Sequence, residues 1–159
     1  MSHPPGSGPD VRYPPPLLFL LGLAAGWWLD HALPLPIVGP ATRPATEPIG
    51  WLLVVLGTVL SGWGLATFRN AGTAIRPDRP ASVLVTHGPF RLSRNPMYAG
   101  LSLVYLGVTV LVDSAWPLLF LPPVITILQL TVVRHEERYL VVTFGLAYEE
   151  YRRRVRRWL

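Results

Sequence analysis

The chain has 159 residues, of which 50% are hydrophobic and only 14% charged, well below the roughly 25% charged residues of an ordinary soluble domain. With a mean hydropathy of +0.36, this balance excludes disorder of the chain as a whole and argues against a soluble globule. Cysteine is absent, which removes disulfides, thiolate metal sites and a cysteine nucleophile, and every basic residue is arginine, for a net charge of +5.

Residues 1–16, rich in proline, read as a disordered lead-in. Beyond them, uncharged runs predict spans at about 17–33, 49–68, 96–112 and 115–133, each within the roughly 17 to 25 residues a bilayer requires. The expected fold is all-α: a polytopic membrane protein of about four transmembrane helices, with one domain over 17–159. In the first run, Trp27-Trp28 before Asp30-His31 reads as a helix reaching an interface. A secretory signal cut near Ala24-Ala25-Gly26 is the alternative. The second run, with Trp51 near its start and Arg69 at its exit, is the clearest span. Within it, Gly62-Trp-Gly64 reads as helix packing by small residues. The fourth holds Pro117, Pro122 and Pro123, for which a kink is expected.

Alternating spans put Arg12, the loop 69–95 and the tail 134–159 on one side, and leave Arg43 alone on the other. The positive-inside rule then makes both termini and the long loop cytoplasmic, consistent with a bacterial inner membrane. Topology thereby accounts for the pI near 10.2, and no nucleic-acid partner is expected.

The loop is too long for a simple connector. Residues 82–86 read as a short extended segment and His87-Gly-Pro-Phe as a turn. Asn95 as N-cap with Pro96 at the first helical position makes a strong helix start. Its free N–H groups, beside Arg91 and Arg94, suit an anion; the simpler alternative is that both arginines snorkel to lipid headgroups. Arg134-His135-Glu136-Glu137 follows the fourth run. Because runs three and four form a hairpin of similar length, Asn95 and Glu136 are expected at similar depth. Two carboxylates then face two arginines and a helix start, a setting for a mixed-charge ligand or, more simply, for a salt bridge from Arg94 to Glu136 or Glu137. In the tail, Leu140, Phe144, Tyr148, Tyr151, Val155 and Trp158 recur at helical spacing. The expectation is an amphipathic helix lying on the anionic inner leaflet, broken at Gly145, with a lid over the site as the alternative. The histidines have no metal-ligand spacing, so no metal site is expected. Phosphate-loop, dinucleotide and serine-triad motifs are absent.

Several of these pieces together, His87-Gly-Pro-Phe-Arg91, Arg94-Asn-Pro-Met-Tyr-x-Gly100, Glu136-Glu137, Phe144-Gly-x-x-Tyr148-x-x-Tyr151 and the closing Val155-Arg-Arg-Trp158, resemble the isoprenylcysteine carboxyl methyltransferase and phospholipid methyltransferase family of membrane enzymes. The resemblance covers about residues 86–159. Asn95 before Pro-Met-Tyr resembles the phospholipid branch, where the carboxyl branch commonly has histidine. What the resemblance implies is S-adenosylmethionine-dependent methyl transfer to a lipophilic or membrane-delivered acceptor, with a carboxylate, thiol or amine as the accepting group. It places His87, Gly88, Asn95, Tyr98, Gly100, His135, Glu136 and Glu137 by the cofactor, and Arg94, Arg134 and Glu137 in catalysis. A membrane reductase with a nicotinamide cofactor and a non-catalytic scaffold are the alternatives.

Overall fold

The structure, a computed structural model, describes residues 13–72 and 81–158. Most of the predicted lead-in, and Arg76 and Arg79 of the loop, lie outside the described residues. Among the described residues the regular structure is entirely helical: α1 (Pro15–Ala32), α2 (Arg43–Asn70), α3 (Pro96–Val112), α4 (Ala115–Leu128), α5 (Arg134–Phe144) and α6 (Leu146–Arg154). A 3₁₀ turn, Gly88–Arg91, precedes α3, and a π-helical turn, Gln129–Val133, joins α4 to α5 without a break. Helix α3 has the predicted bounds, and it stops where Asp113 turns left-handed at φ 52°. Helix α2 begins earlier than predicted, at Arg43. Pro44 sits in the first turn, where its missing N–H has no helical partner to lose, and Pro48 forfeits only the bond to the carbonyl of Pro44. Residues 82–86, expected to be extended, form no strand; no neighbouring strand is there to pair with them among the described residues.

Two helices, α2 and the continuous run Ala115–Phe144, are long and apolar enough to cross a bilayer, and α3 is a slightly shorter apolar helix. The packing of α2 is that of a helix in lipid. Its buried residues are Gly50, Gly57, Gly64 and Thr67, whereas Trp51, Leu52, Val55, Leu56, Val59 and Trp63 are exposed. In water this would leave the largest side chains uncovered; in hydrocarbon the small residues bring helices together and the large ones meet the acyl chains.

The small residues form a seam between α2 and α3. A Cβ at Gly107 would lie 2.6 Å from the Gly50 carbonyl, and one at Gly64 would lie 2.6 Å from Met97 Cγ. Between them Gly57 abuts the Gly100 carbonyl, and Gly100 abuts Ser61, whose hydroxyl donates to the Met97 carbonyl at 3.2 Å. Gly62 faces open space, so of the Gly62-Trp-Gly64 pair only Gly64 packs. Helix α1 lies against α4 in the same way, Gly22 on Val124 and Gly26 on Pro117. Phe19, Tyr98, Tyr105, Leu121, Val124 and Leu128 fill the space among α1, α3 and α4.

The two ends of the bundle differ. At one, the Asp113 carboxylate accepts the backbone N–H groups of Ile37, Val38 and Gly39 at 3.0–3.1 Å. Asp30 accepts from the Ser114 hydroxyl there at 2.8 Å, and Arg43 donates to the Leu111 carbonyl. At the other, Val85, Phe90, Tyr148 and Tyr151 form a second core, joined by Phe68, Leu140, Phe144 and Val155. The apolar stripe of the tail is thus largely covered by the loop before α3. The expected break at Gly145 is present, at φ 52° and ψ −124°, a conformation open to glycine. Segment 134–144 continues the fourth helix, because the π turn carries α4 straight into it.

Candidate active site

Glu136 and Glu137 stand in the first turn of α5, and the hairpin of α3 and α4 brings them level with the start of α3. Asn95 is the N-cap residue and Pro96 follows in the first turn, as predicted, but the Asn95 side chain makes no capping bond. Its amide donates to the Arg157 carbonyl at 3.0 Å, and the buried Ser93 hydroxyl donates to the same oxygen at 3.1 Å. The Arg94 N–H donates to the Arg156 carbonyl at 2.9 Å. After α6 ends at Arg154, with Val155 in extended conformation, the last described residues therefore run as a strap across the entrance to α3. The Trp158 indole N–H fixes the far end of the strap by donating to Gln129 Oε1 at 3.2 Å.

Beneath the strap the two glutamates have different partners. Glu136 accepts from the Tyr98 hydroxyl at 2.8 Å. Glu137, 9% exposed, is gripped in a two-point fork by Arg157, Nε to Oε1 at 2.9 Å and Nη2 to Oε2 at 2.6 Å. Arg94 Nη1 approaches Oε1 at 3.0 Å, yet Arg94 Nε and Nη1 are buried and make no hydrogen bond with the described residues. The Arg94–Glu137 contact is thus an ion pair by distance whose angle does not complete a bond. Gln129 Nε2 and His135 Nδ1 are also buried without a partner among the described residues. Hydrogen bonding to Glu137 holds the Arg157 guanidinium still more firmly charged than usual. Burial, with a contribution from the Glu137 charge, pushes the Tyr148 hydroxyl up against the opposing charge and hydrogen bond of Arg94, and burial does the same to Tyr151. Both therefore remain neutral phenols, and Tyr151 donates to the Phe90 carbonyl at 2.7 Å.

Of the residues singled out in the sequence, Arg94, Asn95, Tyr98, Glu136 and Glu137 come together, with His135 on the same helical turn. The salt bridge expected as the simpler alternative is present, from Arg94 to Glu137. The second arginine on the carboxylates is Arg157; Arg91 and Arg134 are exposed and reach neither glutamate. His87 is exposed. Gly88, at φ 61°, lies against Thr67 and Trp63 of α2, where a Cβ would come within 2.9 Å of Thr67 Oγ1. Gly100 sits in the α2–α3 seam. Sequence reasoning missed Arg157, Ser93 and Gln129. Arg157 carried the one usable signal, its place in the closing Val155-Arg-Arg-Trp158 motif.

An interior site with unspent cationic donors beside two carboxylates can hold a ligand bearing both an anionic and a cationic group. Residues 46–147 match the phospholipid methyltransferase family. Over 147 residues, 91% of its length, the chain is 24% identical to protein-S-isoprenylcysteine O-methyltransferase B of Arabidopsis thaliana, and it covers 66% of that relative.

Proposed function

The chain belongs to the phospholipid methyltransferase family, and from that premise we propose that it transfers a methyl group from S-adenosylmethionine to a lipophilic acceptor at the cytoplasmic face of a membrane. The observation that carries this reading is the buried cluster of Arg94, Tyr98, Glu136 and Glu137, in which Arg94 Nε and Nη1 lack acceptors. A cofactor with a carboxylate, an ammonium and a sulfonium fits that set: Arg94 would take the carboxylate, and Glu136 would face the cationic groups. When bound it supplies an already electrophilic methyl group, so the protein's share is in-line positioning and exclusion of water. The strap, with Tyr148 and Tyr151 beneath it, covers the cytoplasmic side. For an acceptor amine, Glu136 is the group placed to take the proton; for a carboxylate or thiolate, Arg134 is charged and exposed at the same level.

The membrane arrangement belongs to the same reading. Helices α1, α2, α3 and the 115–133 stretch serve as four spans of a single domain over 17–159, with both termini in the cytoplasm of a bacterium. What supports the orientation is the separation of charge along α3: Arg91 and Arg94 precede it, and Arg43 binds the carbonyl of Leu111 near its other end. The tail touches the membrane surface through the α5–α6 elbow, where Val142 and Leu146 are exposed, among outward arginines that favour anionic lipid.

The test is calorimetric binding of S-adenosylhomocysteine to the full chain in lipid-supplemented detergent, with the double variant Glu136→Ala/Glu137→Ala alongside. Binding in the micromolar range, about 8 kcal/mol, that the double variant loses is the expected result. A folded wild-type protein that binds neither this ligand nor S-adenosylmethionine refutes the proposal.

A further inference from the structure

The roles of the two guanidiniums on Glu137 are the reverse of what stability alone favours. A guanidinium that meets a lone buried carboxylate ordinarily engages it through the planar two-point fork, and the more deeply buried cation has the most to gain. Here the Arg94 side chain is 10% exposed and that of Arg157 is 39% exposed. Yet the fork belongs to Arg157, at 2.9 and 2.6 Å. Arg94 keeps one unaligned charge contact with Glu137 and a side-chain interaction with the Tyr148 hydroxyl, and two of its nitrogens, Nε and Nη1, are buried without acceptors. Arg157 could share its donors with water, whereas the buried nitrogens of Arg94 are shut away from it. Buried cationic donors left unspent are costly, and their presence points to a ligand that completes them.

The strap's backbone imposes this inversion. Ser93 and Asn95 both donate to the Arg157 carbonyl, and the Arg94 N–H donates to the Arg156 carbonyl, which sets the Arg157 side chain over Glu137. Within the trio of Arg94, Arg157 and Glu137 the guanidiniums outnumber the carboxylates, and the second acid of the site, Glu136, is engaged by Tyr98 instead. We infer that Arg157 is a positioning residue: by occupying both oxygens of Glu137, it reserves Arg94 for a ligand carboxylate, that of the cofactor's aminoacyl end. Without Arg157, Arg94 turns onto Glu137 as a neutral one-to-one pair and the anion subsite closes. Arg157 lies beyond residues 46–147, the part of the chain matched to the family. The inference rests on the methyltransferase reading above.

Two ligands separate this role from a merely structural one. S-Adenosylhomocysteine carries the aminoacyl carboxylate, and 5′-methylthioadenosine keeps the adenosyl thioether without it. Their affinities are measured by calorimetry on the full chain in lipid-supplemented detergent, for wild type, Arg157→Ala and Arg157→Lys. The expected result for Arg157→Ala is an S-adenosylhomocysteine affinity about tenfold weaker, the scale of one charge-assisted hydrogen bond, with 5′-methylthioadenosine affinity unchanged. Arg157→Lys, which supplies the charge without the fork, recovers part of the loss, and it carries the test if Arg157→Ala does not fold. Equal weakening of both ligands makes the strap structural only and overturns the inference, as does unchanged S-adenosylhomocysteine binding. A wild-type protein that binds neither ligand overturns the methyltransferase reading and this one with it, so the two failures are distinct.

Discussion

Gly100 is the residue at which motif and structure assign different duties, and Gly100→Ala separates them. The motif puts this glycine by the cofactor; the structure puts it against α2. A Cβ there would meet the Ser61 hydroxyl, the Gly57 carbonyl at 2.6 Å and the Ser61 backbone nitrogen at 2.9 Å. The hydroxyl can rotate away, but the two backbone atoms cannot. Restoring ordinary contact of 3.4 Å to the Gly57 carbonyl takes about 0.8 Å of separation between the helices. A gap of about 0.5 to 1 Å forfeits a quarter to a half of the dispersion energy of the facing atoms. The loss extends along the seam, because Gly50 and Gly107 meet two turns away at 2.6 Å. Overpacking of this kind costs about 1–3 kcal/mol. The assay is reversible unfolding in mixed micelles, paired with S-adenosylhomocysteine calorimetry. Gly100→Ala should lose about that stability while the folded fraction binds normally, and Gly62→Ala, in open space within the helix, should leave binding unchanged and hold or raise stability by up to about 1 kcal/mol. Adding Ser61→Gly should rescue only part, since the Gly57 carbonyl remains. Wild-type stability with weakened binding would refute the packing argument and return Gly100 to the cofactor site.

Two further outcomes follow from single polar groups. Tyr98→Phe removes the donor to Glu136 at 2.8 Å and should weaken S-adenosylhomocysteine about tenfold by calorimetry, whereas Tyr13→Phe, at the contact with Thr131, should leave binding unchanged. Asp113→Asn keeps a residue type that tolerates the left-handed backbone but loses the charge that gathers three N–H groups. It should cost about 1–2 kcal/mol in unfolding free energy with ligand affinity intact; equal loss of affinity would mean that the two ends of the bundle are coupled.

Much of this fold is legible in the sequence because its signals are local. Asn95-Pro96 starts α3, the end of the uncharged run at Val112 stops it, and the similar lengths of runs three and four place the glutamates level with Asn95 before any contact is known. The tail's stripe is legible too, but periodicity states only that a face is covered, not by what; lipid and the loop's Val85 and Phe90 satisfy it equally. Arg157 was hidden for a different reason. It is one arginine among seven in the tail, and its role arises when α6 ends at Arg154 and the chain turns extended at Val155, so that bonds from residues 93–95, more than sixty positions earlier, to its backbone decide where it points. The packing duty of Gly100 was not read from its motif, because a motif records which residues recur, while the seven-residue spacing of Gly50, Gly57 and Gly64, met by Gly100 and Gly107, carries the packing information.

The π turn between α4 and α5 is a matter of counting. Buried positions along this helix run Pro117, Leu121, Val124, Leu128 and Val132 at steps of three or four; Val133 is then buried as well, and Glu137 follows four residues after it, so the buried face slips by one residue within the π turn. An unbroken α-helix would bring His135 or Glu136 to that face instead. One residue of slack, taken up in a single wide turn, thus selects which of two adjacent and chemically identical side chains meets the guanidiniums and which meets the tyrosine. Removing one residue from 129–133 should therefore turn the wide turn into regular α-helix and leave both acids facing the partners they have, whereas removing one from 134–135 should pull Glu137 off the guanidiniums.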